Sequence, residues 1–271
     1  MNYLEHEWKD LLLEKDEHIL WITLNRPEAS NAYSSELVHS LVSVLPLADE
    51  DNSVRVIVLT GAGKNFCAGG DIKAMLNKTG MFQGESNELR EAYQNGIQKI
   101  PRAINQLKTP IIAMVNGAAV GAGCDLAAMC DMRVVSDRAS FAETFAKVGL
   151  VPGDGGAYFL IRLIGYARAM EMFLTARSYS ALEAQEMGLV NQVVAHDNLR
   201  EQTRHLALKM CELPPIALQM TKKAVVHAYH STLEQHLELV SALQAITQRT
   251  EDHFTALTGQ QLRKSQTFKH F

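Results

Sequence analysis

Cysteine is scarce in this sequence, and no two cysteines form a C-x-x-C pair. The chain has four cysteines in 271 residues, Cys67, Cys124, Cys130 and Cys211, and no two are separated by only two residues. A disulfide scaffold and a paired-thiol redox or zinc motif are therefore not indicated. Buried free thiols in a reducing compartment are the expected state, so a cytoplasmic location is predicted.

An excess of either charge is also missing, as is a long apolar run near the N-terminus. Lysine and arginine number 26 against 30 aspartates and glutamates, which gives a net charge of −4. This balance, together with the lack of a lysine-rich helix, gives no reason to expect a nucleic-acid partner. The residues 1–10 carry three acids and lead into no long apolar run, so neither a signal peptide nor a membrane span is predicted.

The chain does contain a repeated order of strand, glycine-rich turn and helix. Strands are predicted at 18–25, 54–60, 110–116, 132–136 and 189–195. A chain of this length with this order of elements predicts an α/β fold. From His196 onward only amphipathic helices are predicted. We therefore divide the chain into a core domain, 1–195, and a helical C-terminal subdomain, 196–271.

Two of the glycine turns offer backbone N–H groups at the start of a helix. The first lies in KNFCAGGDIKAM (64–75) and the second in VNGAAVGAGCDLAAMCD (115–131). The first does not fit the spacing of a phosphate loop or of a dinucleotide-binding turn. Because N–H groups at a helix start have no partner inside the helix, both turns are candidates to stabilise an oxyanion. The competing interpretation is that the glycines only permit tight turns.

Five segments of the sequence resemble the crotonase, or enoyl-CoA hydratase/isomerase, family, in the same order and with suitable intervals. They are LNRPEASNAYS (24–34), FCAGGDIKAM (66–75), NGAAVGAGCDLAAMCD (116–131), VGLVPGDGGAYFLIRLIG (148–165) and TARSYSALEAQEMGLVNQVV (175–194). The resemblance implies a crotonase-like spiral of ββα units with an α-helical C-terminal part that forms a homotrimer or a dimer of trimers. It also implies an acyl-CoA substrate and no separate cofactor, since coenzyme A is part of the substrate.

The resemblance also implies roles for individual residues. The positions that match the two oxyanion donors of the family are Gly70 and Ala122, which would act through their backbone N–H groups. The positions that match contacts to coenzyme A are Ala68, Asp71 and Ile72 at the adenine end, and Lys73 and Arg26 at the phosphates. Local cations make sense in an acidic protein that binds a polyanion. The alternative for Lys73 and Arg26 is a solvated surface residue.

The acidic residues depart from the pattern of the family. Its hydratases use two glutamates that share a water molecule, and the matching positions here hold Asp125 and Phe145. An aspartate reaches about 1.5 Å less far than a glutamate, and an aromatic ring cannot shuttle a proton. Asp125 is one predicted catalytic residue. Its other interpretation is an acid in the first turn of a helix, favoured by the helix dipole.

Asp154 and Glu143 are candidates to replace the missing glutamate, and Asp125 acting alone is the third arrangement. Asp154 lies in the bend PGDGG, where several isomerases of the family carry an aspartate, which in one of them matches Gly153. Asp154 is the second predicted catalytic residue. Its alternative is a turn or helix-cap residue. Glu143 shares a face with Phe145 only if that segment is extended, so a surface or salt-bridged glutamate is the favoured interpretation.

Other reactive side chains point to no further site. Cys67 lies next to the first glycine turn without a histidine partner and is predicted to be a buried thiol. His227 and His230 have helical spacing but no third ligand, so no metal site is predicted.

The predicted function is an enoyl-CoA hydratase that adds water across a 2-enoyl-CoA. Two alternatives stay open. One is a double-bond isomerase in which Asp125 and Asp154 shuttle a proton, and the other is a crotonase homologue that binds acyl-CoA without turnover.

Overall fold

The computed structural model describes residues 2–262 and 267–269. In this part of the chain the strands are β1 (Leu11–Asp16), β2 (Ile19–Leu24), β3 (Val56–Gly61), β4 (Ile111–Val115), β5 (Ala118–Val120), β6 (Met132–Ser136), β7 (Ser140–Ala142), β8 (Ser178–Ser180) and β9 (Gln192–Val194). The helices are α1 (Ser35–Glu50), α2 (Ile72–Leu76), α3 (Ser86–Asn95), α4 (Lys99–Gln106), α5 (Ala122–Met129), α6 (Gly156–Ile164), α7 (Tyr166–Thr175), α8 (Ala181–Glu186), α9 (Leu199–Cys211), α10 (Pro215–Ala228), α11 (Leu233–Thr247) and α12 (Glu251–Leu262).

Two sheets organise these elements. The larger sheet has the order β1-β2-β3-β4-β6-β9, with β1 antiparallel to β2 and the other pairs parallel. The smaller sheet has the order β5-β7-β8, with β5 parallel to β7 and β7 antiparallel to β8. Each parallel connection passes through helices, as the sequence pattern of strand, turn and helix predicts.

The central strands are buried on both faces, which explains their nearly continuous apolar sequences. Alternate residues of β2 point to opposite sides, so Leu20, Ile22 and Leu24 join the main core with α1, whereas Ile19 and Trp21 join a second cluster. The second cluster also contains residues of β3, β4 and β6, and it is covered by α9.

The five predicted strands correspond to β2, β3, β4, β6 and β9. The sequence reasoning missed β1, β5, β7 and β8. Three of the missed strands have only three residues, which is too short for a period-two pattern to stand out from a loop.

Helices α9 to α12 follow β9, and α9 packs against the second face of the large sheet through Leu199, Ala207 and Cys211. The division of the chain at residue 195 stays a prediction, and the packing of α9 means that such a boundary would cross a buried interface. Within the described residues, no helix is both long enough and apolar enough to cross a membrane.

Candidate active site

The two glycine turns meet because the segment before the first one runs beside β5. Cys67 pairs with Ala119 as an isolated bridge, and Phe66 N–H and Cys67 N–H both donate to the carbonyl of Ala118 at 3.1 Å. A β-carbon built at Gly69 would lie 2.6 Å from the carbonyl oxygen of Val120. Only a glycine permits this approach, so the sequence brings the two turns into direct contact.

The backbone N–H groups of Gly70 and Ala122 are available at this meeting point. Ala122 is the first residue of α5, so its N–H has no acceptor inside the helix. Within residues 2–262 and 267–269, neither N–H donates a hydrogen bond to another atom of the chain. Both residues line one cleft. The arrangement therefore offers two donors to a ligand oxygen.

The walls of this cleft are mainly apolar. They include Ile72, Met75, Phe82, Ile97, Phe145 and Leu150. Asp154 also lines the cleft, and its carboxyl oxygens are buried just behind the cleft wall. The cleft therefore combines an apolar surface, two backbone donors and one acid, which suits an apolar acyl group that carries a polar carbonyl.

Three carboxyl groups come together at the start of α5. Asp125 lies in the first turn of that helix, Glu143 follows β7, and Asp154 lies in the bend before α6. All three are buried, and none of their side-chain oxygens has a hydrogen-bond donor in the described part of the chain. Asp125 is within hydrogen-bonding reach of both Asp154 and Glu143. Since carboxylates only accept, these hydrogen bonds require that protons be held within the cluster.

Burial raises the pKa of each of these acids. The pKa of Asp125 lies well above its usual value, because the side chain is fully buried and because the charges of Asp154 and Glu143 oppose its ionisation. Burial raises the pKa of Glu143 to about 8. Burial also raises the pKa of Asp154, while the hydrogen bond from Asp125 acts in the opposite direction. Asp125 is therefore the acid that keeps its proton, and Asp154 is the acid that most readily carries charge.

Asp154 does not cap a helix. The N-cap residue of α6 is Gly155, which makes no side-chain cap hydrogen bond. Asp154 instead lies beside Asp125 and on the wall of the cleft. The one-residue offset from the aspartate of one of the isomerases therefore does not turn the side chain away from the cleft.

The favoured interpretation of Glu143 as a surface or salt-bridged residue was wrong. Glu143 is 0 % exposed, and within the described residues it forms no ion pair. Phe145 begins a short 3₁₀ turn, so the extended segment ends before it, and Phe145 faces the cleft while Glu143 does not. The local sequence carries no signal for this burial, because the burial depends on how β7 pairs with β5.

The bend that carries Asp154 is held by the segment 77–98. The side-chain amide of Gln98 donates to the carbonyl of Gly153 at 2.8 Å. A β-carbon at Gly153 would lie 3.0 Å from the ring of Tyr93, which also lines the cleft. The position of Asp154 is thus tied to a segment that lines the cleft.

The residues that match coenzyme A contacts fall into two groups. Ala68 and Ile72 line the cleft. Asp71 accepts a hydrogen bond from Ala74 N–H at 3.0 Å and caps α2. The guanidinium of Arg26 donates to Asp71 at 2.9 Å and to the carbonyl of Ala32 at 3.1 Å. The charge of Arg26 is therefore compensated within the protein.

Lys73, the other predicted cation, is exposed on α2. Cys67 is buried, and burial raises its pKa to about 12, so its thiol stays protonated and is a poor nucleophile. Within the described residues, no group of three or more histidine, cysteine or acidic side chains has the geometry to hold a metal ion.

The fold is mixed α/β, and its two glycine turns present paired backbone donors to an apolar cleft. This combination is typical of a class of proteins that bind an acyl carbonyl. The family model for enoyl-CoA hydratase/isomerase matches residues 14–269. This chain belongs to the enoyl-CoA hydratase/isomerase family, and its fold is the crotonase fold.

Named relatives and solved structures agree with this membership. The chain is 35 % identical over 260 residues to the 2,3-dehydroadipyl-CoA hydratase of Escherichia coli, covering 96 % of this chain and 98 % of the relative. It is 34 % identical over 268 residues to the short-chain-enoyl-CoA hydratase of Clostridium acetobutylicum, covering 97 % and 99 %. A crystal structure of enoyl-CoA hydratase from Bacillus anthracis has 31 % identity and a TM-score of 0.91, covering 97 % of this chain and 100 % of that one. The predictions of the family, the fold and a hydratase-type enzyme are confirmed.

Proposed function

We propose that this protein hydrates a 2-enoyl-CoA by adding the hydroxyl of water to C3 and a proton to C2 of the acyl group. The observation that carries the proposal is that Gly70, Ala122 and Asp154 line one apolar cleft. Membership of the family supports a CoA thioester as the substrate class, and similar proteins are named as hydratases.

In the proposed reaction, the thioester oxygen accepts hydrogen bonds from the N–H groups of Gly70 and Ala122. Negative charge develops on this oxygen when water attacks C3. Each preorganised donor lowers the barrier by roughly 3–4 kcal/mol. Neither N–H has to leave another acceptor in the described chain, so no internal hydrogen bond is lost on binding.

Asp154 handles the proton in this proposal. Its carboxylate accepts a proton from the attacking water as the bond between oxygen and C3 forms, and it returns that proton to C2 as the enolate collapses. Asp125 acts through Asp154. The protonated carboxyl of Asp125 donates a hydrogen bond to the carboxylate of Asp154, and this hydrogen bond stabilises the negative charge of Asp154. Phe145 occupies the position of the usual second glutamate and provides an apolar wall.

A double-bond isomerase is the second candidate, and one specific observation favours it. Asp154 lines the cleft, whereas Asp125 and Glu143 do not. A carboxylate that removes a proton from C2 of a 3-enoyl-CoA and returns it to C4 performs isomerisation with the same oxyanion donors.

At the coenzyme A end, we propose that Ala68, Asp71 and Ile72 contact the adenine and that Lys73 meets a phosphate. Arg26 is the weaker of the two predicted cations, because Asp71 already neutralises its charge. No cofactor beyond the coenzyme A of the substrate is needed for this chemistry.

We also propose a homotrimer, or a dimer of trimers, located in the cytoplasm. Helices α10 to α12 expose large apolar side chains that an assembly would cover: Val225, Tyr229, Leu233, Leu237, Ile246, Phe254 and Leu257. The four cysteines are free and buried, which is the state expected in a reducing compartment.

The test follows the conjugated enoyl thioester absorbance of purified protein with crotonyl-CoA and, separately, with a 3-enoyl-CoA. Loss of absorbance with crotonyl-CoA is the expected result. A gain with the 3-enoyl-CoA and no loss with crotonyl-CoA would replace hydration by isomerisation. Binding of both esters without any change in absorbance would overturn the enzymatic proposal for these acyl groups.

A further inference from the structure

Glu143 is a buried acid for which the proposed reaction has no direct use. It follows β7, and the carbonyl of its neighbour Ala142 accepts a hydrogen bond from Gly121 N–H at 2.7 Å. This bond ties the end of β7 to the turn that opens α5. Both oxygens of Glu143 are buried, and neither has a backbone, hydroxyl or cationic donor in the described chain. A carboxyl buried without a cationic partner avoids the cost of a buried charge by keeping its proton, which agrees with the raised pKa of Glu143.

Glu143 does not reach the cleft, but it reaches Asp125. The next two residues, Thr144 and Phe145, line the cleft, and Glu143 is absent from its wall. Its side chain lies within hydrogen-bonding reach of Asp125 and Cys124. Asp125 is in turn within reach of Asp154. The three acids thus form a chain of contacts that runs from Glu143 in the interior to Asp154 on the cleft wall.

The two hydrogen bonds that join these three carboxyl groups can form in only a few protonation states. Because carboxylates only accept, each link between two of these acids needs a proton on one of the two. If the three acids share two protons and one negative charge, both links can form. Glu143 then donates a hydrogen bond to Asp125, and Asp125 donates a hydrogen bond to the charged Asp154. Desolvation favours charge at the acid nearest the cleft, which is Asp154.

We propose that Glu143 is a positioning residue, which as a neutral acid donates a hydrogen bond to Asp125 and so directs the proton of Asp125 toward Asp154. The inference rests on the proposed function, because the charge that it fixes on Asp154 is the one that accepts a proton from water. Glu143 itself touches no substrate atom.

The other titratable groups that face the three acids are neutral near pH 7. Burial raises the pKa of Tyr33 and of Tyr93, and it raises that of Cys67 to about 12 and that of Cys124 well above its usual value. In the described chain no lysine, arginine or histidine pairs with any of the three acids. Ionisation of Glu143 is therefore the change to expect here as the pH rises through about 8.

The test compares Glu143→Gln with Glu143→Leu in the hydratase assay between pH 6 and pH 10. Glutamine keeps an N–H donor toward Asp125 and cannot ionise, so its kcat should stay within about threefold of wild type at pH 7 and persist where wild type declines. Leucine removes the donor, so kcat should fall by roughly tenfold to a hundredfold with little change in KM. Asp252→Asn, a buried acid of α12 outside the cleft, should keep the wild-type profile.

Two results would overturn the inference. One is a parallel decline of kcat above pH 8 in wild type and Glu143→Gln, and the other is full kcat in Glu143→Leu. A role in stability alone would lower the melting temperature of the variants while leaving the pH profile unchanged.

An infrared titration of protonated carboxyls separates this inference from the proposed function. At pH 7 wild type should show one more protonated carboxyl than Glu143→Gln. If that difference appears but crotonyl-CoA is not hydrated, the proton arrangement holds and the proposed function fails. If hydration proceeds but the difference is absent, Glu143 is ionised and the inference fails.

Discussion

The α-carbon of Gly156 faces the carboxyl of Asp125 so closely that a β-carbon at residue 156 would lie 1.4 Å from Oδ1 of Asp125. Helices α5 and α6 pack together at their first turns, and Gly156 is the first residue of α6. A side chain at this position would have to displace Asp125. The second glycine of the GG pair is therefore required by the acid cluster.

Gly156→Ala should remove most of the activity by moving Asp125 away from Asp154. Displacement of a catalytic group by about 1 Å lowers rates by roughly a hundredfold, so we expect a loss of that order in kcat. Steady-state kinetics and thermal denaturation are measured together. The control is Gly165→Ala, where a β-carbon meets nothing within 4 Å but φ is +78°. It should lower the melting temperature while kcat is retained, and equal kinetic losses in both variants would contradict the argument.

Asp154→Asn should lower kcat by about 10²- to 10⁴-fold, because an amide cannot accept the proton of water. KM should change little, since the apolar wall and both backbone donors are untouched. The exposed acid Asp197 provides the control, and Asp197→Asn should behave as wild type. Full turnover by Asp154→Asn would show that Asp154 is only a residue of the bend.

Phe145→Glu should partly rescue the Asp154→Asn variant. Phe145 lines the same cleft, and a glutamate there restores a carboxyl at the position where hydratases of the family have one. We expect the double variant to exceed Asp154→Asn in kcat by roughly tenfold or more, within the range of a positioned acid or base. Phe145→Gln in the same background should not rescue, and equal activity of the Glu and Gln double variants would reject a proton-transfer role for the new carboxyl.

Burial of Glu143 should make the protein less stable as the pH rises. Its pKa is raised from 4.5 to about 8 in the folded protein, so between these values the folded state holds a proton that the unfolded state has lost. The contribution is fully present below pH 4.5 and is lost as the pH rises through about 8. The slope is about −1.4 kcal/mol per pH unit.

Urea denaturation of wild type and Glu143→Gln at several pH values measures this contribution as a difference. The free energy of unfolding of wild type should fall relative to that of the variant between pH 5 and pH 8. A difference that stays constant, or that grows in favour of wild type, would mean that Glu143 is ionised in the folded protein.

Arg133 should be more important for stability than an ion-paired surface arginine. Its buried guanidinium donates to carbonyls at the end of α5, including Ala127 at 3.2 Å and Cys130 at 2.6 Å, and to the carbonyl of Leu189. Arg133→Met would leave these acceptors buried without a donor, at a cost of about 1–3 kcal/mol each. Arg204→Met, which removes exposed pairs with Asp16 and Glu17, should cost about 1 kcal/mol or less. Similar losses in denaturation experiments would contradict this account.

The sequence predicted the parts of this molecule that depend on local patterns. β3 and β4 are continuous apolar runs, and the glycine turns that follow them can be recognised from composition and family motifs. The burial of Glu143 could not be predicted, because it arises from the pairing of β7 with β5, two strands of three residues each. The position of Asp154 was predicted only as one of two alternatives, since a glycine-rich bend allows many directions for its side chain.

Phe145 and Asp154 come from different points along the chain and still face one cleft. If Asp154 handles the proton as proposed, the acid of this chain occupies a different position in the sequence from the usual glutamate and still lines the same cleft. A survey that scores two fixed glutamate positions would count this chain among degenerate members of its family. A survey that asks instead which acids lie around the first turn of α5 would find three carboxyl groups here, where the hydratases of the family use two.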